Sequence, residues 1–564
     1  MSRTFLIVSI LLITTGIAAS AQPTAEHLSH RGIYDYLDEM ASEQLIELNT
    51  TIKPYTRDLI LDKLQHIEKQ QEKLNARQRK ELNFYLRDFS LSDSTDSKPL
   101  SGDSGLDIFG KNDHFATGIN PVGFFYKNET FSFGFRPIWG IEYLSNANGS
   151  FSRTWGFGRI YGKVGEHFGF YASLRDNHMS DVLARPDHFT RRDAGVYKGN
   201  SIGGADYSEM RGGITYGWNW GEVTLAKDHI EWGDNYKGAL IRSGRTPSIG
   251  MAKLHLKPAR WFEFNYYHGW LVSEVVDSLK SYTPASGFER PVYKPKYMAA
   301  NMFTVIPTPN IHFSFGNSII YGDIPVQAGY LVPFMFFKSI DHTINAHIEN
   351  QNSQMYANLS IRSIKHLHLY GSLFIDEFAF FRVGDPNKHN FYSYKAGAKL
   401  SNWPIRNASL TFETSRSRPI TYKHRIPLLT YETNRFNMGH YMRDNSKDFY
   451  AELDINPLPR FHFKASYLYA AHGNEYDYAR TEEGDFILDE LEFMKEKTWD
   501  KEKISFQADF EFSNNAYIFA GYTLRNIQGY KADGKTADHY LSKFTPELLH
   551  GETNTFRFGF NVGF

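Results

Sequence analysis

The chain has 564 residues, of which 16% are aromatic, and its mean hydropathy of −0.46 shows that this apolar content is interleaved with polar residues. Lysine plus arginine number 62 against 63 aspartate plus glutamate, and no long basic run occurs, so the charge does not indicate a nucleic-acid partner. The absence of cysteine excludes disulfides, thiolate metal sites, cysteine nucleophiles and a lipidated N-terminal cysteine.

The first residues have the pattern of an export signal. Arg3 supplies the positive charge, residues 5–13 are the apolar stretch, and residues 19–21 (Ala-Ser-Ala) form a small-residue cleavage site. We therefore predict that residues 1–21 are a signal peptide. A single N-terminal membrane anchor is the alternative, but the apolar stretch is shorter than the roughly 20 residues that span a bilayer.

Residues 31–89 have the spacing of apolar side chains that predicts short amphipathic helices. Pro54 indicates the start of the second helix, and Asn75 is suited to cap the third. Residues 90–105 are rich in Ser, Asp, Gly and Pro and predict a linker. We expect residues 22–100 to form a small helical periplasmic domain with its linker. The three apolar stripes are Ile33, Leu37 and Met40; Ile60, Leu64 and Ile67; and Leu82, Tyr85, Leu86 and Phe89.

From about residue 115 onward, apolar and polar side chains alternate with the period of β-strands. Short connections made of turn-forming residues, such as 308–310 and 513–515, separate long polar connections, such as 179–206 and 472–500. A soluble β-sandwich explains the alternation of side chains but gives no reason for the connections to alternate in length. Outer-membrane barrels have short turns on one rim and long loops on the other.

We therefore predict that residues 101–564 form an all-β transmembrane barrel of the outer-membrane type, with about 18 antiparallel strands. A barrel of this size encloses water unless something plugs it, and the N-terminal helices are the candidate for a periplasmic cap or plug. The last strand ends in an aromatic residue and is similar to the C-terminal signal that such barrels present to their assembly machinery. The predicted lipid-facing side of this strand consists of Phe556, Phe558, Phe560, Val562 and Phe564.

Enzymatic motifs are weak. Residues 199–203 fit the pattern G-x-S-x-G, but the nucleophile elbow needs a helix after the serine, and none is predicted there. Asp and His are adjacent at Asp228-His229 and Asp341-His342, yet neighbours in a strand point to opposite faces. We predict no catalytic residues, no metal site, no cofactor and no enzymatic activity.

Several short stretches together resemble the Wzi family of outer-membrane capsule assembly proteins. Each stretch is degenerate, so the resemblance lies in their order and in the layout of helices followed by strands. The stretches are IYDYLDEMA (33–41), KPYTRDLILDKL (53–64), LNARQRKELNFYLRDF (74–89), GNSIGGADY (199–207), VTLAKDHIEWGDNYKGALIRSG (223–244), LVPFMFF (331–337), IDEF (375–378) and MGHYMRDNS (438–446).

The resemblance implies an 18-stranded barrel with helices at its periplasmic mouth. It also implies a non-enzymatic surface lectin that holds exported capsular or exopolysaccharide at the cell surface. The other expected partners are outer-membrane lipid, the barrel assembly machinery and other surface proteins. Candidate polysaccharide-binding residues follow from position alone, and for each of them a lumen-lining role is the alternative. They are Trp232, Asp234, Tyr236, Asp376, Glu377, His440, Arg443 and Asp444.

Two other functions stay open from the sequence. An outer-membrane pore would pass solutes through the lumen, and an accessory subunit of a larger surface complex would bind protein with its loops. An aromatic-rich set of loops suits sugar binding, because aromatic faces cover C–H patches and planar polar groups read hydroxyl pairs, but aromatic girdles belong to any such barrel.

Overall fold

The computed structural model describes residues 24–563 except 93–114, 191–193, 199, 202–203, 345–349, 379, 383–389, 481–485 and 488–490. The predicted signal peptide, most of the predicted linker, part of the G-x-S-x-G stretch and Phe564 therefore lie outside the described residues.

The described residues form one closed antiparallel barrel with eighteen long strands. The predicted fold class and strand number are confirmed. The strands are β1 (Phe131–Asn146), β2 (Gly149–Val164), β3 (Phe168–Met179), β4 (Gly204–Trp218), β5 (Gly221–Asp228), β6 (Ile249–Ala259), β7 (Phe262–Leu271), β8 (Lys296–Thr308), β9 (Ile311–Gly322), β10 (Gln351–Ile361), β11 (Leu367–Glu377), β12 (Phe391–Ser401), β13 (Ala408–Ser417), β14 (Ser446–Leu458), β15 (Phe461–Gly473), β16 (Lys497–Ser513), β17 (Ala516–Gly529) and β18 (Gly551–Val562).

Shorter elements complete the described chain. The helices are α1 (Arg31–Ser42), α2 (Arg57–Glu68), α3 (Ala76–Phe89), α4 (Phe337–Ile344) and α5 (Ala537–Phe544), with 3₁₀ turns at Gln71–Lys73, Ser90–Ser92, Ala328–Leu331, Phe380–Arg382, Pro427–Leu429 and Glu547–Leu549. Short strands are Ile52–Lys53, Phe115–Ile119, Val122–Lys127, Asn200–Ser201, Glu231–Trp232, Arg242–Ser243, Glu432–Thr433, Phe436–Asn437, Ala479–Arg480 and Phe486–Ile487. No helix of this described part is long and apolar enough to cross a membrane.

The barrel closes between β18 and β1, where Phe556 pairs with Ser145 and Val562 pairs with Trp139. Side chains alternate across this wall as the sequence predicts. Phe556 and Phe558 are 62% and 56% exposed on the outside, whereas Arg557 points to the lumen and lies 2.6 Å from Glu142. The terminal alternation is therefore the outer and inner faces of the closing strand.

The connections show the predicted asymmetry of the two rims, except that a two-residue turn joins β1 to β2 at the rim of the long loops. Turns of a few residues join strand pairs such as β8 to β9 and β16 to β17, whereas the chain between β15 and β16 or between β17 and β18 is long. Short turns face the periplasm in bacterial barrels. The rim that carries the long loops is called the outer rim below.

Helices α1 to α3, called the helical domain, lie within residues 31–89, where the sequence predicts short amphipathic helices. Thr56 caps α2, two residues after Pro54, and Asn75 forms a capping box with Gln78 at the start of α3. The three predicted stripes pack on one another in a single core, and of the residues in the stripes only Leu86 is partly exposed. Each of the three short helices therefore buries its apolar face against the other two.

The helical domain lies against the short-turn rim of the barrel. Gly32 lies so near the wall that a Cβ atom would overlap the carboxylate of Glu511 in β16. Hydrogen bonds reach four different turns: Gln44 Nε2 to Arg362 O (2.8 Å), His366 N to Ser42 O (2.7 Å), Asn75 Nδ2 to Asn407 Oδ1 (3.1 Å), Arg460 N to Glu81 Oε1 (2.7 Å) and Asn514 Nδ2 to Phe84 O (3.1 Å).

Buried ion pairs continue this contact into the lumen. Arg57 Nη1 lies 2.9 Å from Glu26 Oε2, and its Nη2 lies 3.0 Å from Asp88 Oδ1. Two inward-facing arginines of the wall join the same carboxylates, Arg136 to Asp88 at 2.9 Å and Arg159 to Glu26 at 3.0 Å. Because none of these side chains is more than 6% exposed, loss of one partner would leave the others buried without compensation.

We expect the stability of this contact to depend on pH through His30. Its ring nitrogens lie 3.3 Å from Glu26 Oε1 and 3.1 Å from Glu511 Oε1. Burial lowers the pKa of the imidazole, but the hydrogen bonds and charges of Glu26 and Glu511 outweigh burial and raise the pKa above its usual value. The stabilisation is therefore complete below pH of about 6.5 and is lost as the pH rises through the raised folded-state pKa.

Denaturant unfolding of the purified protein at several pH values measures this effect. The variant His30→Gln should show a smaller decline in stability with rising pH than the wild type, whereas His66→Gln, on the exposed side of α2, should keep the wild-type decline. An unchanged pH profile in His30→Gln would contradict the assignment.

A segment of the chain also covers the outside of the barrel. Residues 328–344, called the outer strap, leave the outer rim after β9 and pack over β7 to β9. Asn301 and Asn317 point outward from β8 and β9, and they bind the strap backbone: Asn301 Nδ2 donates to Met335 O at 2.8 Å, and Phe337 N donates to Asn317 Oδ1 at 2.9 Å. Two polar side chains of the outer wall are thereby satisfied by a loop whose own outer surface is apolar.

Candidate functional site

The loop between β5 and β6, residues 229–248, folds into the lumen and is called the inner loop. Its Glu231–Trp232 strand pairs with Ile52–Lys53 on one side and with Arg242–Ser243 on the other. The segment that joins α1 to α2 thus enters the barrel and adds a strand to the inner loop. Both together fill the lumen beside β10 to β13.

Trp232 lies in the apolar core of this plug. The indole is 4% exposed, and its ring centroid is 5.1 Å from that of Tyr267 and 6.1 Å from that of Tyr356. Tyr267 and Tyr356 belong to the barrel wall, so Trp232 anchors the inner loop to the inside of the barrel. In this conformation its faces are covered by protein.

Asp234 connects three parts of the chain. Its carboxylate accepts hydrogen bonds from Thr50, from Thr51 Oγ1 at 3.3 Å and from Asn358 Nδ2 at 2.6 Å. Burial raises the pKa of this carboxyl, but the charges of His368 and Arg362 and these hydrogen bonds outweigh burial and hold the pKa below its usual value. Asp234 is therefore ionised and its acceptor positions are used within the protein.

Tyr236 lies at the edge of a cavity of about 320 Å³. It is one of three residues that bind the carboxylate of Asp38 in α1. The Tyr236 hydroxyl donates to Asp38 Oδ2 at 2.8 Å, and Arg362 and Lys399 bind the same carboxylate at 2.6 and 2.9 Å. Burial raises the pKa of Asp38, but the charges of Lys399 and Arg362 outweigh it and lower the pKa. Asp38 is the point where helical domain, inner loop and wall meet.

Asp376 and Glu377 end β11 at the outer rim. Arg382 Nη2 donates to Glu377 Oε1 at 2.6 Å, and 44% of the Glu377 side chain remains exposed. Asp376 is half-buried beside Asn352 and Gln354 of β10. These two carboxylates lie at the outer end of the barrel wall.

His440, Arg443 and Asp444 lie in the long loop between β13 and β14. His440 is fully buried, 2.8 Å from Ser415 Oγ, and Asp444 Oδ2 accepts from Ile420 N at 2.8 Å. Arg443 is partly exposed and lies 3.2 Å from Asp187 Oδ1 in the loop between β3 and β4. His440 and Asp444 therefore hold one loop together, and Arg443 joins two loops.

The structure does not bring the eight predicted binding residues into one site. Trp232, Asp234, His440 and Asp444 are buried with partners inside the protein, and Tyr236, Asp376, Glu377 and Arg443 keep some exposure. Sugar contact by any of them stays a prediction. The physical reason for the burial is that polar side chains in a plugged lumen must bind one another when water is displaced.

One group of possible metal ligands lies where α1 meets β14 and β15. Among the described residues, Asp35, Asp454 and His462 have donor atoms within 4.8 Å of one another. The ammonium of Lys464 lies 3.3 Å from Asp35 Oδ2 and 3.6 Å from Asp454 Oδ2. Lys464 therefore already supplies a positive charge to both carboxylates.

Two features of the outer half were not predicted from the sequence. The loop between β7 and β8 carries exposed aromatic side chains at its tip, Tyr282 at 59% and Phe288 at 79%. A set of lysines and arginines also lines the lumen along β16 to β18. The basic lining of the lumen could have been found from the alternation of β16. Ser505 lies on the polar face of this strand, and counting back in steps of two places Lys503 and Lys501 on the same, lumen-facing side.

The comparisons with known proteins agree with this architecture. The family model "Capsule assembly protein Wzi" matches residues 158–539. The structure is similar to that of Escherichia coli Wzi, described as an outer-membrane protein involved in group 1 capsule assembly and as a carbohydrate-binding β-barrel; the TM-score is 0.53 at 9% identity, covering 96% of this chain and 100% of the other.

Weaker similarities were found to two other solved structures. OccAB2 of Acinetobacter baumannii has a TM-score of 0.41 at 9% identity, covering 76% of this chain and 97% of that one. OccD3 of Pseudomonas aeruginosa has a TM-score of 0.41 at 8% identity, covering 76% and 90%. A search of curated protein sequences gave no match. Because the family model spans more than half of the chain, this protein belongs to the Wzi family of capsule assembly proteins, which places it in the outer membrane.

Proposed function

We propose that this protein is a non-enzymatic lectin that binds exported capsular polysaccharide and attaches it to the cell surface. The observation that carries the proposal is the family match over residues 158–539. The similarity of fold to a carbohydrate-binding barrel supports it, as do the exposed aromatic side chains of the outer rim.

The proposed mechanism is multivalent weak contact. Each molecule holds a few sugar units through aromatic faces and planar polar groups on its outer loops. A long polymer that engages many copies is retained far more strongly than one contact allows, because each further contact forms at a high effective concentration. No bond is made or broken in this scheme, so no catalytic residue is needed.

The proposal assigns a place to each part of the chain. Residues 1–21 are removed on export, and residues 22–100 form the periplasmic domain that closes the short-turn mouth. The outward face of β18, from Phe556 onward, is presented to the barrel assembly machinery. The barrel, 101–564, then displays the long loops outside the cell.

The first test compares cell-bound with released surface polysaccharide in a strain that lacks this protein and in the complemented strain. We expect the polymer still to be made but to be recovered mainly from the medium in the deletion strain. Unchanged attachment would overturn the capsule function for this protein. The measurement also separates attachment from synthesis, because total polymer is determined in the same samples.

The exposed aromatic residues of the loop between β7 and β8 allow a sharper test. Complementation with the double variant Tyr282→Ala and Phe288→Ala should increase the released fraction, because two exposed rings suited to cover sugar C–H patches are removed. The matched control is Leu279→Ala, which is 96% exposed on the same loop but has no ring. Equal release from both variants would argue against ring stacking on this loop.

A further inference from the structure

A second cavity lies in the lumen, on the side opposite the inner loop's main contacts. It has a volume of about 600 Å³ and is bounded by β1, β2 and β15 to β18, with Arg31 of α1 below. Residues of three outer loops, Leu183, Tyr441 and Leu549, line its upper part. Its volume falls within the range of about 300–1,000 Å³ that is usual for small-ligand sites.

The lining of this lumen cavity is strongly basic. Its described charged residues are seven cations and one carboxylate, Glu142, and Glu142 lies 2.6 Å from Arg557. A concave, low-dielectric surface with one sign of charge concentrates ions of the opposite sign. The seven cations are Arg31, Arg153, Lys237, Lys501, Lys503, Arg525 and Arg557.

The strand register places two of these cations directly against each other. Lys503 of β16 is paired with Arg525 of β17, and both line the cavity. Like charges at directly opposed positions destabilise a sheet. Lys237, Lys501 and Arg557 are further positive charges around Lys503. An anion between these side chains would turn this repulsion into attraction.

Charge is also graded along β16. Its lumen-facing positions run from Lys501 and Lys503 at the outer end, through Ser505 and Gln507, to Asp509 and Glu511 at the inner end. The two carboxylates are used at the helical domain, where Asp509 lies 3.4 Å from Arg31 and Glu511 lies 3.1 Å from His30. The basic end of the strand therefore faces the outer loops, from which a ligand would arrive.

We propose that the lumen cavity binds an acidic segment of a carbohydrate chain, a few sugar units that carry carboxylate, sulfate or phosphate groups. This inference rests on the proposed function and deepens it, since it names the chemical class of the polymer. Lysine and arginine donate charge-assisted hydrogen bonds to such groups. The hydroxyls of Ser505 and Thr523 bind each other at 2.8 Å and keep acceptor positions for sugar hydroxyl groups in the same cavity.

The test uses the purified full-length protein in detergent and three probes of equal length: hexagalacturonate, a chondroitin sulfate hexasaccharide and neutral maltohexaose. Isothermal titration calorimetry should show at least one acidic probe binding about tenfold or more tightly than maltohexaose, with an affinity that falls as the salt concentration rises. Equal affinity for all three probes overturns the proposal. Complete displacement of the acidic probe by inorganic phosphate at the same concentration also overturns it, because the site then binds a small anion only.

Variants locate the binding. Lys503→Gln and Arg525→Gln should each weaken binding of the acidic probe about tenfold or more, because each removes a charged donor from the cavity. Lys531→Gln removes one positive charge from the exposed loop that follows β17, outside the cavity, and should leave the affinity within about twofold. Thermal unfolding of each variant confirms that it is folded. Unchanged binding in both cavity variants overturns the assignment of the site.

The two proposals fail in different ways. If the deletion strain keeps its polymer attached while the cavity variants lose affinity for the acidic probe, the capsule function is wrong and the acidic-saccharide site remains. If the deletion strain releases its polymer while all three probes bind equally, the lectin function remains and the acidic-saccharide site is wrong.

Discussion

Replacing Asp38 with alanine should lower the free energy of unfolding by about 3–5 kcal/mol. The Asp38 carboxylate is the shared partner of Arg362, Lys399 and the Tyr236 hydroxyl, all within 2.9 Å. Its removal leaves a guanidinium and an ammonium close together in the lumen without their counterion. The helical domain, the inner loop and the wall all lose a contact at once.

Denaturant unfolding followed by tryptophan fluorescence measures this prediction, because the nine tryptophans, buried Trp232 among them, change environment when the protein unfolds. The control is Asp62→Ala on α2, whose carboxylate is 68% exposed and lies 3.2 Å from Lys63. A surface pair of this kind contributes about 0–1 kcal/mol. Similar losses in the two variants would show that Asp38 does not join the three parts energetically.

Placing an arginine at Phe558 should cost about 2–4 kcal/mol and reduce the amount of barrel assembled in the membrane. Phe558 is 56% exposed on the outward face of β18, the strand that closes the barrel against β1. A guanidinium at that position must be taken into hydrocarbon. The substitution therefore changes both the lipid-facing wall and the predicted assembly signal, since Phe558 belongs to both.

Asn554→Arg is the matched control, since Asn554 lies on the same exposed face of β18, four residues nearer to the outer rim. Near the interface the cost of an arginine falls to about 0–1 kcal/mol. Urea titration in lipid vesicles gives the stability, and heat-modified mobility on gels gives the folded fraction. If Phe558→Arg behaves like Asn554→Arg, the outward face of β18 does not lie in the hydrocarbon.

The parts of the fold that were predictable from sequence follow from local periodicity. Phe131, Phe133 and Phe135 alternate with Ser132 and Gly134, and the structure places the two sets on opposite faces of β1. In the same way the stripe of Ile60, Leu64 and Ile67 gives the buried face of α2. A period of two in a strand, or of 3.6 in a helix, determines the face on which a side chain lies, whether that face contacts lipid, the lumen or another part of the protein.

The contents of the lumen were not predictable in this way. Asp234 is a polar residue among polar neighbours, so its local sequence does not distinguish it from an exposed loop residue. Only its contacts with Thr50 and Asn358, which are far away in the sequence, show that it is part of a plug. Lys503 and Arg525 likewise have no local feature that brings them together, because the register of β16 with β17 depends on the whole barrel. Loop residues were therefore identified as candidates without knowledge of which loops fold inward.

Because of the outer strap, the barrel has a thick side and a thin side in the plane of the membrane. Over β7 to β9 the protein is two layers thick at the depth of Asn301, whereas on the side of β18 the wall is a single sheet. The second layer presents an apolar ridge that includes Leu331 and Phe334. Neighbouring barrels can approach the thin side more closely than the ridge, so crowded copies of this protein will have preferred relative rotations.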